Sequence, residues 1–484
     1  MSALTKDLMK LTEAAERGAD GKDRFRQRLH LMPPVGWLND PNGLCWFGGR
    51  CHAFFQYAPF GPEGGVKMWG HYTSRDMISW EYQGVALYPD QPFDCGGVYS
   101  GCAFVEDGEM YLYYTGNVKL EDRDDYDYIS SGREANTVLV KSRDGINFGP
   151  KKLLMKNKDY PSDLSLHVRD PKVWKQDGIY YMIQGARTKV DVGQAVLFRS
   201  KDRVNWAVHS RVRTENPFGY MWECPDYFEL DGMKILSVSV QGLEGKEWTD
   251  RNVYQSGYFL LDGDIRDNPH LSEYHLWDYG FDYYAPQSFE TGDGRRILTG
   301  WMGMPDCEEY TNRTIEDGWQ HCFTFPREVY LRAGTVCQRP VRELEERLAL
   351  VKKASGQAEL EGYQVCEADI SGICDSRFRA VLGEELILEY REGRFEMHFT
   401  SQDKSSASGG RSLRYVRLEK LEDVKILTDV SSVEVFLNGG QYVFSTRYYP
   451  EKACIRAEAP GAEILFLTWK ICYNSIDENR IGIM

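Results

Sequence analysis

Five stretches decide the fold: CWFGGRCHAFF (45–55), AFVEDGEMYLYY (103–114), VWKQDGIYYMI (173–183), YFELDGMKILSV (227–238) and FETGDGRRILTG (289–300). Each sets a Gly-Gly or Asp-Gly pair between two β-rich runs, the strongest short-range signal for a hairpin. The second turn residues, Gly49, Gly108, Gly178, Gly232 and Gly294, recur at intervals of 54 to 70 residues. A second echo lies between them: SRDMISW (74–80), SRDGINF (142–148) and SKDRVNW (200–206). Each follows an alternating run and reads as a turn into an outer strand. A unit of ~60 residues with about four strands, repeated five times, predicts a five-bladed β-propeller. The period is longer than the ~40–45 residues of WD40 blades.

Beyond the fifth unit the pattern changes. PVRELEERLALVKKA (340–354) has apolar residues at helical spacing and predicts a linker helix over 339–354. Alternating segments then return, among them LILEYREGRFEMHF (386–399), SSVEVFLNGGQYVFSTRYY (431–449) and AEILFLTWKI (462–471). Short strands with glycine turns over 355–484 predict a β-sandwich. The expected organisation is therefore all-β: an N-terminal helical extension (1–25), the propeller (26–338), the linker helix and the sandwich.

Composition narrows the function classes. Among 484 residues, 58 Lys and Arg stand against 73 Asp and Glu, a formal charge of −15. Such a chain repels polyanions, which argues against nucleic acid or an anionic membrane surface as its partner. No run approaches the ~18 apolar residues a membrane helix requires. The first 25 residues carry five acidic groups and no apolar core, unlike a secretory signal. Twelve cysteines are scattered without a CxxC pair and read as free thiols, so a cytoplasmic location is expected. The 30 Tyr, 22 Phe and 12 Trp beside 46 Gly fit strands, tight turns and surfaces on which a sugar can stack.

Counting back eight or nine residues from each hairpin glycine gives Asp40, Ser100, Asp170, Glu223 and Ala285. Equivalent positions in successive blades meet near the propeller axis if the first strand of each hairpin is innermost. Three of the five would aim carboxyl groups at one channel mouth. Their settings are WLNDPNG (37–43), VRDPKVW (168–174) and MWECPDY (221–227), each acid within two residues of a proline. Clustered like charges shift one another's pKa values, which is common at functional sites. Two carboxylates with different tasks are what glycoside cleavage requires. Glu223, among Met221, Trp222, Cys224 and Pro225, is expected in an apolar setting that favours the protonated acid. Asp40, beside the Pro41-Asn42-Gly43 turn, is expected to be kept ionised by turn amides. Asp170 follows Arg169, a cation able to hold it charged or to bind sugar hydroxyls.

In order along the chain, WLNDPNG, FFQYAP (54–59), WGHYTSRD (69–76), YSG (99–101), RDP (169–171), EC (223–224), FDYYAPQ (281–287), GWMG (300–303), PRE (326–328) and DVSSVEVFLNGG (429–440) resemble the blocks of glycoside hydrolase family 32. That family comprises invertases, sucrose-6-phosphate hydrolases, inulinases and levanases. The resemblance implies a five-bladed propeller followed by a β-sandwich, and retaining hydrolysis through a covalent fructosyl-enzyme. By the same resemblance Asp40 is the nucleophile, Glu223 the general acid and base, and Asp170 the transition-state stabiliser. Asn39, Gln56, Trp69, Tyr99, Ser100, Arg169, Tyr284 and Trp301 match positions lining the fructose pocket. No metal or organic cofactor is implied. In a retaining enzyme the carboxyls of Asp40 and Glu223 would stand about 5–5.5 Å apart.

Blander roles stand beside these. Trp69 and Trp301 read equally as blade-core aromatics, and a one-residue register decides between Tyr283 and Tyr284. Cys224 reads as a small packing residue. Ala58, Tyr99, Cys102, Leu38 and Val430 depart from the family pattern and bear on substrate preference. The expected reaction is β-fructofuranosidase cleavage of the terminal fructosyl linkage of sucrose, sucrose 6-phosphate or short fructooligosaccharides. A phosphate would call for cations, for which Lys67, Arg123 and Lys189 in channel-mouth loops are candidates. A fructosyltransferase would use the same carboxylates; a non-catalytic fructan-binding propeller would not need them intact.

Overall fold

A computed structural model describes residues 2–18, 23–374 and 377–469. The five hairpins are the inner halves of five antiparallel blades, as the repeat predicts. Their first strands, Gly36–Phe47, Gly97–Glu106, Leu164–Gln176, Met221–Leu230 and Tyr284–Glu290, are the innermost of each blade. In the three Asp-Gly turns of blades II, III and IV both turn residues are left-handed: Asp107 and Gly108 have φ of 52° and 73°, Asp177 and Gly178 50° and 77°, Asp231 and Gly232 47° and 84°. That geometry matches the strand twist and needs residues that tolerate positive φ. The SRD echo is a turn into the outer strand, built by one side chain. Asp76 Oδ1 accepts from the backbone N–H groups of Ile78 and Ser79, Asp144 from Ile146 and Asn147, and Asp202 from Val204 and Asn205.

Period-2 alternation assigns side chains to opposite faces of a blade, and here both faces are buried. In blade II, Met110, Leu112 and Tyr114 pack toward Phe47, Phe54 and Trp69 of blade I. Tyr111 and Tyr113 pack toward Met182 and Phe198 of blade III. Burying each such side chain stabilises the fold by roughly 1.5–3 kcal/mol. The ring closes where Trp319–Gln320, in the connection between the second and third strands of blade V, pairs in parallel with Gly36–Trp37 of blade I.

The N-terminal helix, Ala3–Gly18, rests on blade I: Thr5 donates to Asp90 over 2.6 Å, and Tyr57 and Tyr82 both donate to Glu16. The helix expected over 339–354 is not formed. A single 3-10 segment, Arg342–Arg347, is followed at once by the strand Leu348–Glu361. Pairing with the long strand Cys454–Trp469 supplies that segment's hydrogen bonds and overrides its helical spacing. These two strands bend together at Gly356 and Gly461, both at φ 79°. Beyond the bend, residues 455–458 pair with Arg377–Leu382, while residues 463–468 pair with Cys366–Ser371. The two layers of the sandwich thus share their longest strands, and their inner faces meet in one apolar cluster that includes Phe378, Phe395, Ile426, Val435 and Phe466. Cys472 and the remainder of 470–484 lie outside the described residues.

Buried ion pairs join sandwich to propeller. Arg327 of blade V contacts Glu434 at 2.5 Å and Asp278 at 3.1 Å, and Arg411 grips Asp282 at 2.7 Å. His30 bridges Asp429 and Glu434 at 2.9 and 2.8 Å. Burial alone would lower the pKa of His30, but its two carboxylate partners outweigh burial and raise it to about 9.

Candidate active site

Every inner strand carries a bulge in which two residues face one on the next strand. The bulged pairs are Asn39-Asp40, Tyr99-Ser100, Asp170-Pro171, Cys224-Pro225 and Ala285-Pro286, opposite Gln56, Thr115, Gln184, Val238 and Gly300 respectively. A bulge breaks the ladder and re-aims side chains, and here Asn39, Asp40, Tyr99, Ser100, Asp170 and Cys224 reach one cavity. Proline suits the second bulged position because no ladder donor is needed there. The first bulged residues Asp170, Cys224 and Ala285 are left-handed, with φ of 63°, 47° and 49°. For non-glycine residues that conformation costs roughly 1–2 kcal/mol each. These ladders correct the count from the hairpin glycines. Asp40 is the second bulged residue of its strand, Asp170 the first, and Glu223 stands just ahead of its bulge, so the three acids occupy successive register positions.

The bulges open on a cavity of about 330 Å³ whose wall includes Asn39, Asp40, Gln56, Tyr99, Ser100, Arg169, Asp170, Glu223, Tyr284 and Trp301. Trp69 is the exception among the pocket residues expected. It is fully buried, its ring lies 5.7 Å from Phe54 and 5.9 Å from Tyr114, and its indole N–H donates to the Tyr99 carbonyl. It therefore supports Tyr99 from behind, because it belongs to the packing between blades I and II. The choice between Tyr283 and Tyr284 falls to Tyr284: Tyr283 packs between blades IV and V.

Asp40 accepts at Oδ2 from Ser100 and from Gln56, and at Oδ1 from Asn39 over 3.0 Å. Side chains, not the expected turn amides, hold it. Burial pushes its pKa up and the bonds from Ser100 and Asn39 pull it back, with the net shift upward. Glu223 sits in a ring of donors instead of an apolar setting. Arg169 donates to Oε1 from Nε and Nη2 at 3.1 and 2.7 Å, and Gln241 and Tyr284 donate to Oε2 at 2.7 and 2.6 Å. Asp170 accepts from the Cys224 backbone N–H and lies 3.9 Å from Arg169 Nε. Burial raises the Asp170 pKa to about 7, against the pull of Arg169 and with a further push from Glu223. The Cys224 thiol lies 3.7 Å from both Asp40 Oδ2 and Asp170 Oδ2, and burial pushes its pKa far up, which makes it a packing residue and not a nucleophile.

Sequence reasoning missed Trp37, Tyr128, Arg133 and Gln241, all on the cavity wall. Gln241 is the diagonal neighbour of Glu223, which pairs with Ser239; a plain hairpin count would pair Glu223 with Val240 on the other face. Tyr128 comes from a long connection without periodicity, and Arg133 is the first residue of the strand that follows it. Of the candidate cations, Lys67 lines the cavity, whereas Arg123 is an exposed partner of Asp125 and Lys189 is exposed outside the lining.

The arrangement supplies one carboxylate held by a hydroxyl and two amides, a second held by a guanidinium, an amide and a phenol, and a third between them. Residues 30–340 match the model of the glycosyl hydrolases family 32 N-terminal domain, and residues 390–464 that of the glycosyl hydrolases family 32 C terminal. The chain belongs to glycoside hydrolase family 32. As a family 32 glycoside hydrolase it is similar to the sucrose-6-phosphate hydrolase of Bacillus subtilis (strain 168), at 39% identity over 444 residues, 88% of this chain and 90% of that protein. It is 38% identical to a raffinose invertase of Escherichia coli over 87% of this chain and 89% of that one. Among solved structures, the Bombyx mori GH32 beta-fructofuranosidase aligns with a TM-score of 0.84 at 28% identity, covering 96% of this chain and 98% of its own. No helix among the described residues is long and apolar enough to cross a membrane.

Proposed function

We propose that this family 32 hydrolase is a retaining β-fructofuranosidase that cleaves the terminal β-D-fructofuranosyl linkage of sucrose or sucrose 6-phosphate. The observation that carries the reading is the pairing of Asp40 and Glu223 on one cavity wall with separate donor sets. Glu223 protonates the leaving oxygen while Asp40 attacks the anomeric carbon of the fructosyl unit, forming the ester intermediate. Glu223 then takes a proton from water, which attacks the same carbon and releases Asp40. Ser100 and Gln56 orient the nucleophile. Asp170 accepts hydrogen bonds from fructose hydroxyls; each such bond favours its carboxylate form, which the developing positive charge on the sugar then stabilises.

Several relatives support the substrate class: the matched proteins of Bacillus subtilis and Staphylococcus xylosus are sucrose-6-phosphate hydrolases, and a variant of the Bombyx mori enzyme was solved in complex with sucrose. A cytoplasmic setting accompanies this reading, supported by the free state of every cysteine among the described residues. The test is time-resolved NMR of sucrose cleavage together with mass spectrometry of the enzyme. β-Fructofuranose as the first product and a fructosyl adduct on the peptide bearing Asp40 are expected. First release of the α-anomer, or cleavage without an adduct under trapping conditions, would overturn the mechanism.

A further inference from the structure

We propose that Lys67 and Arg133 form an anion-recognition site on the side of the cavity built by blades I and II, and that it takes a phosphoryl group carried by the sugar substrate. The inference rests on the β-fructofuranosidase reading and deepens it.

Both cations line the same cavity as the three acids, yet neither is neutralised as Arg169 is by Glu223. Arg133 begins the third strand of blade II and is only 3% exposed. Its Nη1 donates to the Tyr128 hydroxyl over 3.0 Å and to His167 Nδ1 over 3.3 Å, and its Nη2 donates to Asn117 Oδ1 over 2.8 Å. All three partners are uncharged: His167 must present a bare Nδ1 to the guanidinium groups, so its proton sits on Nε2, toward the Tyr128 carbonyl. The Nε of Arg133 is buried with no partner. Lys67 lies just ahead of the third strand of blade I, with its ammonium 4.6 Å above the Trp37 ring. Among the described residues neither group is in an ion pair, and Asp40 and Asp170 act on them only through space.

Tyr99 lines the same cavity. Its ring sits 5.9 Å from the Arg133 guanidinium carbon and packs over Gly97, where an added Cβ would also meet the Lys67 backbone nitrogen at 3.3 Å. A guanidinium held in low dielectric without a counter-ion is costly, and an arriving anion removes that cost. Burial lowers the pKa of both groups, that of Lys67 to about 7, and outweighs the opposing pull of Asp40 on Lys67 and of Asp170 on Arg133. A phosphoryl group fits better than a carboxylate-poor sugar ring, since its oxygens can accept from a guanidinium fork and an ammonium together. The rival role is to offset the charge of Asp40 and Asp170, and that role would serve every substrate equally.

The ratio of kcat/KM for sucrose 6-phosphate to that for sucrose separates the two roles. It is measured for the wild type, Lys67→Met, Arg133→Gln and Arg133→Lys, together with inhibition of sucrose cleavage by inorganic phosphate. A wild-type ratio well above one is expected, with at least a tenfold fall in each neutral variant, weaker phosphate inhibition, and partial recovery in Arg133→Lys. Should Arg133→Gln fail to fold, Lys67→Met decides. An unchanged ratio in a folded variant, or a wild-type ratio at or below one without phosphate inhibition, would overturn the site while leaving the β-fructofuranosidase reading intact. Cleavage of neither sugar by the wild type would overturn that reading and the site with it.

Discussion

The backbone N–H of Cys224 donates to Asp170 Oδ2 over 3.0 Å, so the residue that follows Glu223 in blade IV fixes the carboxylate of blade III. Cys224 can reach it because the bulge holds its backbone at φ 47°. Two acids of the site are thereby positioned by a single peptide unit, and backbone strain is spent where geometry matters most.

Asp170 has a folded pKa of about 7 against an ordinary 3.8, because burial disfavours its charge. A carboxyl raised by folding adds stability while protonated and loses it as pH rises through the folded value. Asp170→Asn is therefore expected to melt at a higher temperature than the wild type at pH 8, with the gap closing toward pH 5. Cleavage of sucrose should fall by at least a hundredfold in the same variant. Thermal unfolding across pH measures the first effect and initial rates the second; a variant less stable than the wild type at pH 8 contradicts the argument.

Asp40→Asn and Glu223→Gln should each remove sucrose cleavage while leaving the melting temperature within a few degrees of the wild type. Loss of a covalent nucleophile costs orders of magnitude. Retention of more than about a tenth of the activity by Asp40→Asn sinks its assignment.

Gln241→Leu tests a residue that the motifs do not reveal. Its amide holds Glu223 Oε2 at 2.7 Å beside the Tyr284 hydroxyl. Losing one donor to a largely buried carboxylate costs about 1–3 kcal/mol, so a fall in kcat of roughly ten- to a hundredfold is expected, with the larger share in kcat and not KM. Steady-state kinetics with sucrose decides it.

His30→Leu should destabilise the junction of propeller and sandwich by about 3 kcal/mol near neutrality, as removal of one partner from a buried ion pair does. The His30 pKa rises from 6.5 to about 9 on folding, despite burial, through Asp429 and Glu434. Its contribution is thus complete below pH 6.5 and disappears as pH climbs through 9. The stability gap between wild type and variant should narrow as pH rises from 6.5 through 9, as measured by denaturant unfolding.

Much of the architecture was legible because it depends on local chemistry repeated five times. Gly49, Gly108, Gly178, Gly232 and Gly294 mark turns that few other residues can make, and the alternating runs beside them can form only strands. The linker failed for the opposite reason: 340–354 has helical spacing, but its partner strand lies a hundred residues away. Trp69 failed likewise, since a tryptophan in a motif block reads the same whether it faces a sugar or supports Tyr99.

The residue types themselves thus dictated five blades, a following sandwich and the identity of three acids, since turn chemistry, periodicity and motif blocks are properties of neighbours along the chain. The arrangement of those acids around one cavity is a property of neighbours in space. The bulges of blades I, III and IV displace Asp40, Asp170 and Glu223 by successive register positions and bring Gln241 beside Glu223, while Lys67 and Arg133 reach the same cavity from blades I and II. A bulge is one extra residue in a ladder whose partner strand must be known before the extra residue can be counted.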